Sequence, residues 1–254
     1  MSGEKNIHKL TSKISILSFR NNFMPERTLG AIIPTKNELN IIHQILSITN
    51  TNLQPAINKF QKFVNLVINE NQRHNLIGES TIPKIWTRHI IDSLQLIKHC
   101  DDDICQNIVD LGSGAGFPAI VLAIATNKNI IMIEKSPVKA KFLELVIKTL
   151  ELANAKVINQ SINKQNIKTI LPPNTYITSR AFKSMSEILE LINSNGNVKK
   201  LVLLKGQNFQ QEIDDIPHYL INTYKMEITE SINKGGVIVK ILSHQEGCFT
   251  DLVS

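Results

Sequence analysis

Asp110-Leu111-Gly112-Ser113-Gly114-Ala115-Gly116-Phe117-Pro118 combines an acid, three glycines at alternate positions and an aromatic ring in one short run. Glycine has no Cβ, so its backbone turns tightly and lets a ligand come close. Ile108 and Val109 before the run read as an apolar strand, and Ala119 to Ala125 after it as an apolar helix. Such a helix turns its free N–H groups towards whatever the loop holds. The spacing is G-x-G-x-G, and Phe117 occupies the position where a G-x-G-x-x-G dinucleotide fingerprint needs its last glycine. Asp110 is badly placed beside a pyrophosphate and well placed beside a cation. S-adenosylmethionine carries a sulfonium and an ammonium charge and meets that requirement.

A second carboxylate follows. Asn129-Ile130-Ile131-Met132-Ile133-Glu134 reads as the next buried parallel strand, an apolar run closed by an acid. In an open α/β sheet ligands bind beyond the carboxyl ends of the strands. Glu134 there can accept hydrogen bonds from both ribose hydroxyls of an adenosine. The alternative is a surface or capping acid, although Ser136-Pro137 can start the next helix unaided.

Two cations stand at further strand ends: Arg180 in Ser179-Arg180-Ala181-Phe182, and Lys205 in Lys205-Gly206-Gln207. Converging on one crevice they repel each other unless an anion such as phosphate lies between them; otherwise they are solvated charges of helix-start loops. Arg88 and His89 belong to an earlier helical stretch, with Asp92 and Ser93 one turn further on. They face either a phosphate or the cofactor across the crevice mouth, or they make an intrahelical pair and a structural histidine.

The elements that position these groups fall into three zones. Residues 1–36 are polar and poorly periodic, with Pro25, Gly30 and Pro34 as breakers, and read as a loosely ordered extension. Its five basic residues against two acids up to Arg27 leave a targeting role or a later start at Met24 open, but it lacks the apolar stretch of a secretory signal. Residues 37–104 are helical: Leu39, Ile42, Ile45 and Leu46, then Phe60, Phe63, Val64, Val67 and Ile68, then Ile82, Ile85, Trp86, Ile90 and Leu94 recur at helical spacing. A polar loop, Gln72 to Gly78, separates the last two groups.

From residue 105 onwards strands and helices alternate. An amphipathic helix over Val138 to Leu152, with Lys135, Lys139, Lys141 and Lys148 outside, leads to a third strand at Lys156 to Asn159, a fourth at Tyr176 to Thr178 and a fifth at Leu201 to Leu204. Two last strands, near Tyr219 to Ile228 and Gly236 to Leu242, have no crossover helix between them and must pair antiparallel at the sheet edge. The expected fold is α/β: a Rossmann-like, seven-stranded, mostly parallel sheet of the class I S-adenosylmethionine-dependent methyltransferase type, with an N-terminal helical subdomain.

Composition agrees. A chain of 254 residues that is 42% hydrophobic supports one full α/β domain plus an appendage. No apolar run approaches the ~20 residues of a membrane span. Cys100, Cys105 and Cys248 are too few and scattered for a disulfide framework or a zinc site, which fits a reducing compartment. A net charge of +6 leans towards a polyanionic partner, and only 5% aromatic residues argue against base-stacking platforms.

In order along the chain, Asn75-Leu76, Arg88-His89-Ile90-Ile91-Asp92-Ser93-Leu94, Val109 to Pro118, Ser179-Arg180-Ala181-Phe182 and Leu204-Lys205-Gly206-Gln207 resemble the bacterial RsmG (GidB) family of 16S rRNA guanine-N7 methyltransferases. The resemblance spans about residues 37 to 243. It implies a cytoplasmic monomer that uses S-adenosyl-L-methionine to methylate one guanine, nucleotide position 527 of 16S rRNA, in the small ribosomal subunit. By the family pattern Gly112 and Phe117 line the cofactor site and Arg180 contacts cofactor or substrate. The adenine-side pair falls on Asn163 and Lys164, where the family has a small apolar residue and a glutamate, so a side-chain carboxylate contact is lost there. The first 36 residues have no counterpart in the family.

The residues absent also bear on the acceptor. Methylating cytosine C5 requires a cysteine nucleophile, and none of the cysteines lies in a strand-four or strand-five loop. Methylating an exocyclic amine usually involves an Asn/Asp-Pro-Pro-aromatic turn after strand four, whereas Leu171-Pro172-Pro173-Asn174 precedes that strand. A ring nitrogen with a free lone pair needs positioning more than a base. The competing readings are a methyltransferase of the same fold acting on a small molecule or protein, a nicotinamide-dependent reductase, which needs glycine at 117, and a non-catalytic RNA-binding protein.

Overall fold

The computed structural model describes residues 32–100, 102, 104–193 and 195–243. Most of the N-terminal extension, residues 1–31, lies outside them. Residues 32–35, which the sequence assigns to that extension, are instead tied down: the Ile32 carbonyl accepts hydrogen bonds from Trp86 Nε1 at 2.8 Å and Gln61 Nε2 at 3.2 Å. Thr35 then starts helix α1 (Lys36–Leu46) with a capping box, its hydroxyl and the Glu38 carboxylate satisfying each other's backbone N–H groups.

Helix α2 (Leu53–Asn71) presents Phe60, Phe63, Val64 and Val67 on one fully buried stripe. Asn71 ends it by accepting from the N–H groups of Leu76 and Ile77, both at 2.8 Å, and so folds the polar loop back onto the helix. The third helical stretch is not the uniform helix that its spacing suggests. It runs as a 3₁₀ turn (Glu79–Lys84), a π-helical turn (Trp86–Ile91) and a short α3 (Asp92–Leu94), followed by α4 (Ile97–Cys100). The wider π turn lets His89, Ile90 and Ile91 all be buried in succession, which a regular helical face disfavours.

Strand β1 (Asn107–Leu111), α5 (Ala119–Ala125), β2 (Asn129–Ile133), α6 (Pro137–Leu150), β3 (Ala155–Ile158), α7 (Ile167–Ile170), β4 (Thr175–Ser179), α8 (Met185–Ile192), β5 (Val198–Lys205), α9 (Phe209–Asp214), α10 (His218–Ile221), β6 (Tyr224–Glu230) and β7 (Val237–Ser243) complete the chain. The strands form one sheet in the order β3-β2-β1-β4-β5-β7-β6. Only β7 runs against its neighbours, pairing antiparallel with both β5 and β6. The last pair is therefore antiparallel as the sequence requires, although Tyr219 belongs to α10 and the strand starts later, at Tyr224.

Alternation along the strands divides the core. Ile108, Ile130, Met132 and Tyr176 face one side, where they share a single buried cluster with α1, α2, the π turn, α5 and α6. Val109, Ile131, Ile133 and Ile177 face the other side, among Met185, Ile188 and Leu189 of α8. This alternation puts Asp110 and Thr178 on the face that the helical segment covers, and Arg180 next in register beyond Thr178. Among the described residues no helix is long and apolar enough to cross a membrane.

Candidate active site

The glycine loop crosses the carboxyl ends of β1 and β2. Gly112, Gly114 and Gly116 all have positive φ, at 68°, 54° and 94°. The three do different work. A Cβ on Gly112 would lie 2.6 Å from the Phe182 ring, and one on Gly116 would lie 2.7 Å from Ile120. Those two glycines allow close packing. A Cβ on Gly114 would meet nothing nearer than the Gly112 carbonyl oxygen at 3.8 Å, so this glycine keeps space open for a ligand.

That space is a cavity of about 540 Å³ lined by Gly112 to Ala115, Phe117, Glu134, Arg180 and Phe182, with Lys135, Lys139 and Lys183 at its charged side. Glu134 is buried, and its two carboxylate oxygens accept from the N–H groups of Gly114 at 2.9 Å and Ser136 at 2.8 Å. The acid thus ties the loop to the end of β2. Ser136, not Glu134, caps α6.

Asp110 sits behind the loop, not on the cavity wall. It is fully buried, its Oδ1 accepts from Thr178 Oγ1 at 3.3 Å, and its Oδ2 has no partner. It is absent from the residues that line the cavity, and stands in the layer behind them. Burial pushes its pKa up to about 7, against the pull of the Ser113 and Thr178 hydrogen bonds and nearby Arg180. A carboxyl whose folded pKa is raised contributes its full share of stability below its unfolded pKa and loses it as pH rises from there through the folded value. Asp110→Asn removes that dependence. Its melting temperature minus that of the wild-type protein is expected to be clearly more positive at pH 8 than at pH 5 in calorimetric scans. A difference that does not change with pH contradicts the assignment.

Phe117 is the hub of the opposite wall. Its ring lies 4.9 Å from Phe63, 4.8 Å from the His89 ring and 5.4 Å from the Arg180 guanidinium carbon. Arg180 Nη1 is 2.6 Å from His89 Nδ1. Burial works against the Arg180 charge, which Asp92 and Asp110 favour and the neighbouring Arg88 disfavours. Burial, reinforced by Arg180 and Arg88, pulls the His89 pKa down to about 3, so the ring is neutral at any physiological pH.

Other residues singled out in the sequence are placed elsewhere. Arg88 is exposed and does not pair with Asp92, whose Oδ1 accepts from Gln95 at 2.6 Å and Ser231 at 2.8 Å. Those bonds pin the β6–β7 hairpin to the helical segment. Lys205 does not converge with Arg180: its Nζ donates to Glu212 at 2.7 Å and to the Lys183 carbonyl at 3.0 Å, which neutralises it away from the cavity. Asn163 and Lys164 also lie off the cavity. The Asn163 side chain accepts from the N–H groups of Gln165 and Asn166 and so organises the approach to α7, and Lys164 pairs with Glu190 at 3.1 Å. Gln160, Ser161 and Ile162 line the cavity in their place, nearer the end of β3. These residues stand nearer the carboxyl end of β3, where ligands of open α/β sheets bind, and Asn163 and Lys164 follow them directly in the chain.

A family model described as rRNA small subunit methyltransferase G (GidB) matches residues 56–234. The chain belongs to this family. Ribosomal RNA small subunit methyltransferase G of Rickettsia felis is 35% identical over 182 residues, which cover 72% of this chain and 91% of that relative. The protein of the same name from Orientia tsutsugamushi (strain Ikeda) is 36% identical over 173 residues, covering 68% and 83%. Among solved structures, the SAH-bound methyltransferase PaMTH1 of Podospora anserina superposes with a TM-score of 0.53 at 12% identity, over 85% of this chain and 99% of that one. At that identity the likeness is one of fold, that of the class I S-adenosylmethionine-dependent methyltransferases.

Proposed function

We propose that this chain transfers a methyl group from S-adenosyl-L-methionine to N7 of the guanine at nucleotide position 527 of 16S rRNA. The residues fit the cofactor: the open side of Gly114 leaves room for it, and Glu134 presents a buried carboxylate whose remaining lone pairs can accept from hydroxyl groups. Gly112, Phe117 and Glu134 would hold it, with Gln160 to Ile162 beside them. When bound, it supplies an electrophilic methyl group on a sulfonium.

The observation that carries the acceptor assignment is the state of the bases around the cavity. Among the described residues that line it there is no histidine, cysteine, tyrosine or aspartate, and its two carboxylates are committed, Glu134 to the glycine loop and the cofactor's hydroxyls, Glu187 to Lys183 at 2.6 Å and to Ser184. Such a wall suits an acceptor that has no proton to lose. Guanine N7 is one: it exposes a lone pair and carries no hydrogen. The protein's task is to fix the base in place and to exclude water, and Arg180 is the charged group on the cavity wall best suited to grip a guanine edge or phosphate. Exposed Arg88 and the cations at Lys135 and Lys139 suit phosphates further along the RNA. A small-subunit rRNA substrate belongs with action in the bacterial cytoplasm, and we take the acting species to be the single chain.

Tritium transfer from labelled S-adenosylmethionine to small subunits from cells lacking the enzyme tests this reading. Label is expected in 16S rRNA. Label confined to ribosomal protein, or no transfer to any subunit preparation, contradicts it.

A further inference from the structure

Arg180 is a long side chain at the start of a loop, and a guanidinium that swings freely cannot hold a planar partner in one orientation. Its geometry is fixed by residues outside the cavity. Arginine has only donors, so the 2.6 Å contact between Arg180 Nη1 and His89 Nδ1 requires a lone pair on Nδ1. The ring proton must then sit on Nε2, which is 2.8 Å from Thr81 Oγ1. The Thr81 hydroxyl passes the order on by donating to the Gly78 carbonyl at 2.6 Å. Each group in this series therefore has one possible direction of donation.

The surroundings reinforce it. His89 is 4% exposed and its ring lies against Phe117, which holds the imidazole plane in place. The π-helical turn Trp86–Ile91 carries the ring inward, and local widening of this kind is common where a side chain must be aimed. A protonated imidazole would set two donors against each other, which agrees with the strongly lowered pKa of His89.

We propose that Thr81 and His89 are positioning residues, which fix the His89 tautomer and through it the orientation of the Arg180 guanidinium towards the RNA. The inference rests on the reading of Arg180 as a substrate-facing group. It reassigns His89 from contacting substrate to aiming the residue that does, and it gives a role to Thr81, a residue without any motif of its own.

Single-turnover methyl transfer to saturating small subunits, with thermal melts to confirm folding, tests it in four variants. Thr81→Val keeps the shape and removes the acceptor for Nε2–H, and is expected to slow transfer about tenfold, the effect of losing one well-aligned hydrogen bond. Thr81→Ser restores the hydroxyl and is expected within about twofold of wild type. In an Arg180→Lys background, where no fork remains to be aimed, Thr81→Val is expected to add less than about a further twofold. Equal losses in the Val and Ser variants, a Val variant as fast as wild type, or a full tenfold effect persisting in the Arg180→Lys background would each overturn the proposal. If Arg180→Lys is itself fully active, the reading of Arg180 fails and the proposal falls with it; if only that variant is impaired, the reading stands and the proposal alone fails.

Discussion

Gly114→Val is expected to abolish S-adenosylmethionine binding in a protein that still folds. Residue 114 is the one loop glycine whose missing Cβ borders open cavity instead of packed side chains. A valine there projects two methyl groups into the space that the cofactor needs. Its φ of 54° adds a second penalty, because a β-branched residue resists the left-handed region and would drag the loop away from Glu134. Calorimetric titration should show affinity reduced at least about a hundredfold, about 2.7 kcal/mol. Gly116→Val, by contrast, is expected to fail by unfolding, since its side chain would enter the packing of Ile120, Leu143 and Phe63. Near-normal affinity in a folded Gly114→Val protein contradicts the loop assignment.

Arg180→Lys should lose far more activity than the unchanged charge suggests. The guanidinium spends one N–H on His89 and is flanked by Phe117, which leaves the rest of a rigid fork for the substrate. A lysine ammonium is a point donor on a flexible stem and cannot make two parallel bonds. One charge-assisted bond lost at the transition state is worth about 1.5–3 kcal/mol, or roughly 10- to 150-fold in rate. Single-turnover rates on small subunits measure it, with melts as the folding control. A lysine variant as fast as wild type would return Arg180 to the class of loop charges without a function.

Much of the fold was legible because its signals are local. The apolar runs of β1 and β2, each closed by an acid, and the breakers around them locate the sheet centre and the glycine loop. The missing crossover between the last two strands dictates their antiparallel pairing. What escaped depends on contacts between distant segments. Nothing in the spacing of Glu79 to Leu94 announces a π turn, because its broader turn goes with the packing of Trp86, His89 and Ile91 against the core. Lys205 looks like a crevice cation until Glu212, one helix later, is seen to claim it. Asp110 is an acid at a strand end by sequence, yet it is buried beside Thr178 behind the glycine loop and does not line the cavity. The Arg180–His89 contact joins residues 91 positions apart and has no sequence signature of its own.

The identity of the methylated nucleoside tests the central claim most directly. Small subunits from cells lacking the enzyme are incubated with the purified protein and S-adenosylmethionine, the 16S rRNA is digested, and the nucleosides are resolved by mass spectrometry. A cavity wall without a free base suits transfer to an unprotonated ring nitrogen, and with the guanine acceptor of the proposed function the new methyl group should appear as 7-methylguanosine at a single position. Methyl found only in a pyrimidine or as N6-methyladenosine would contradict the account.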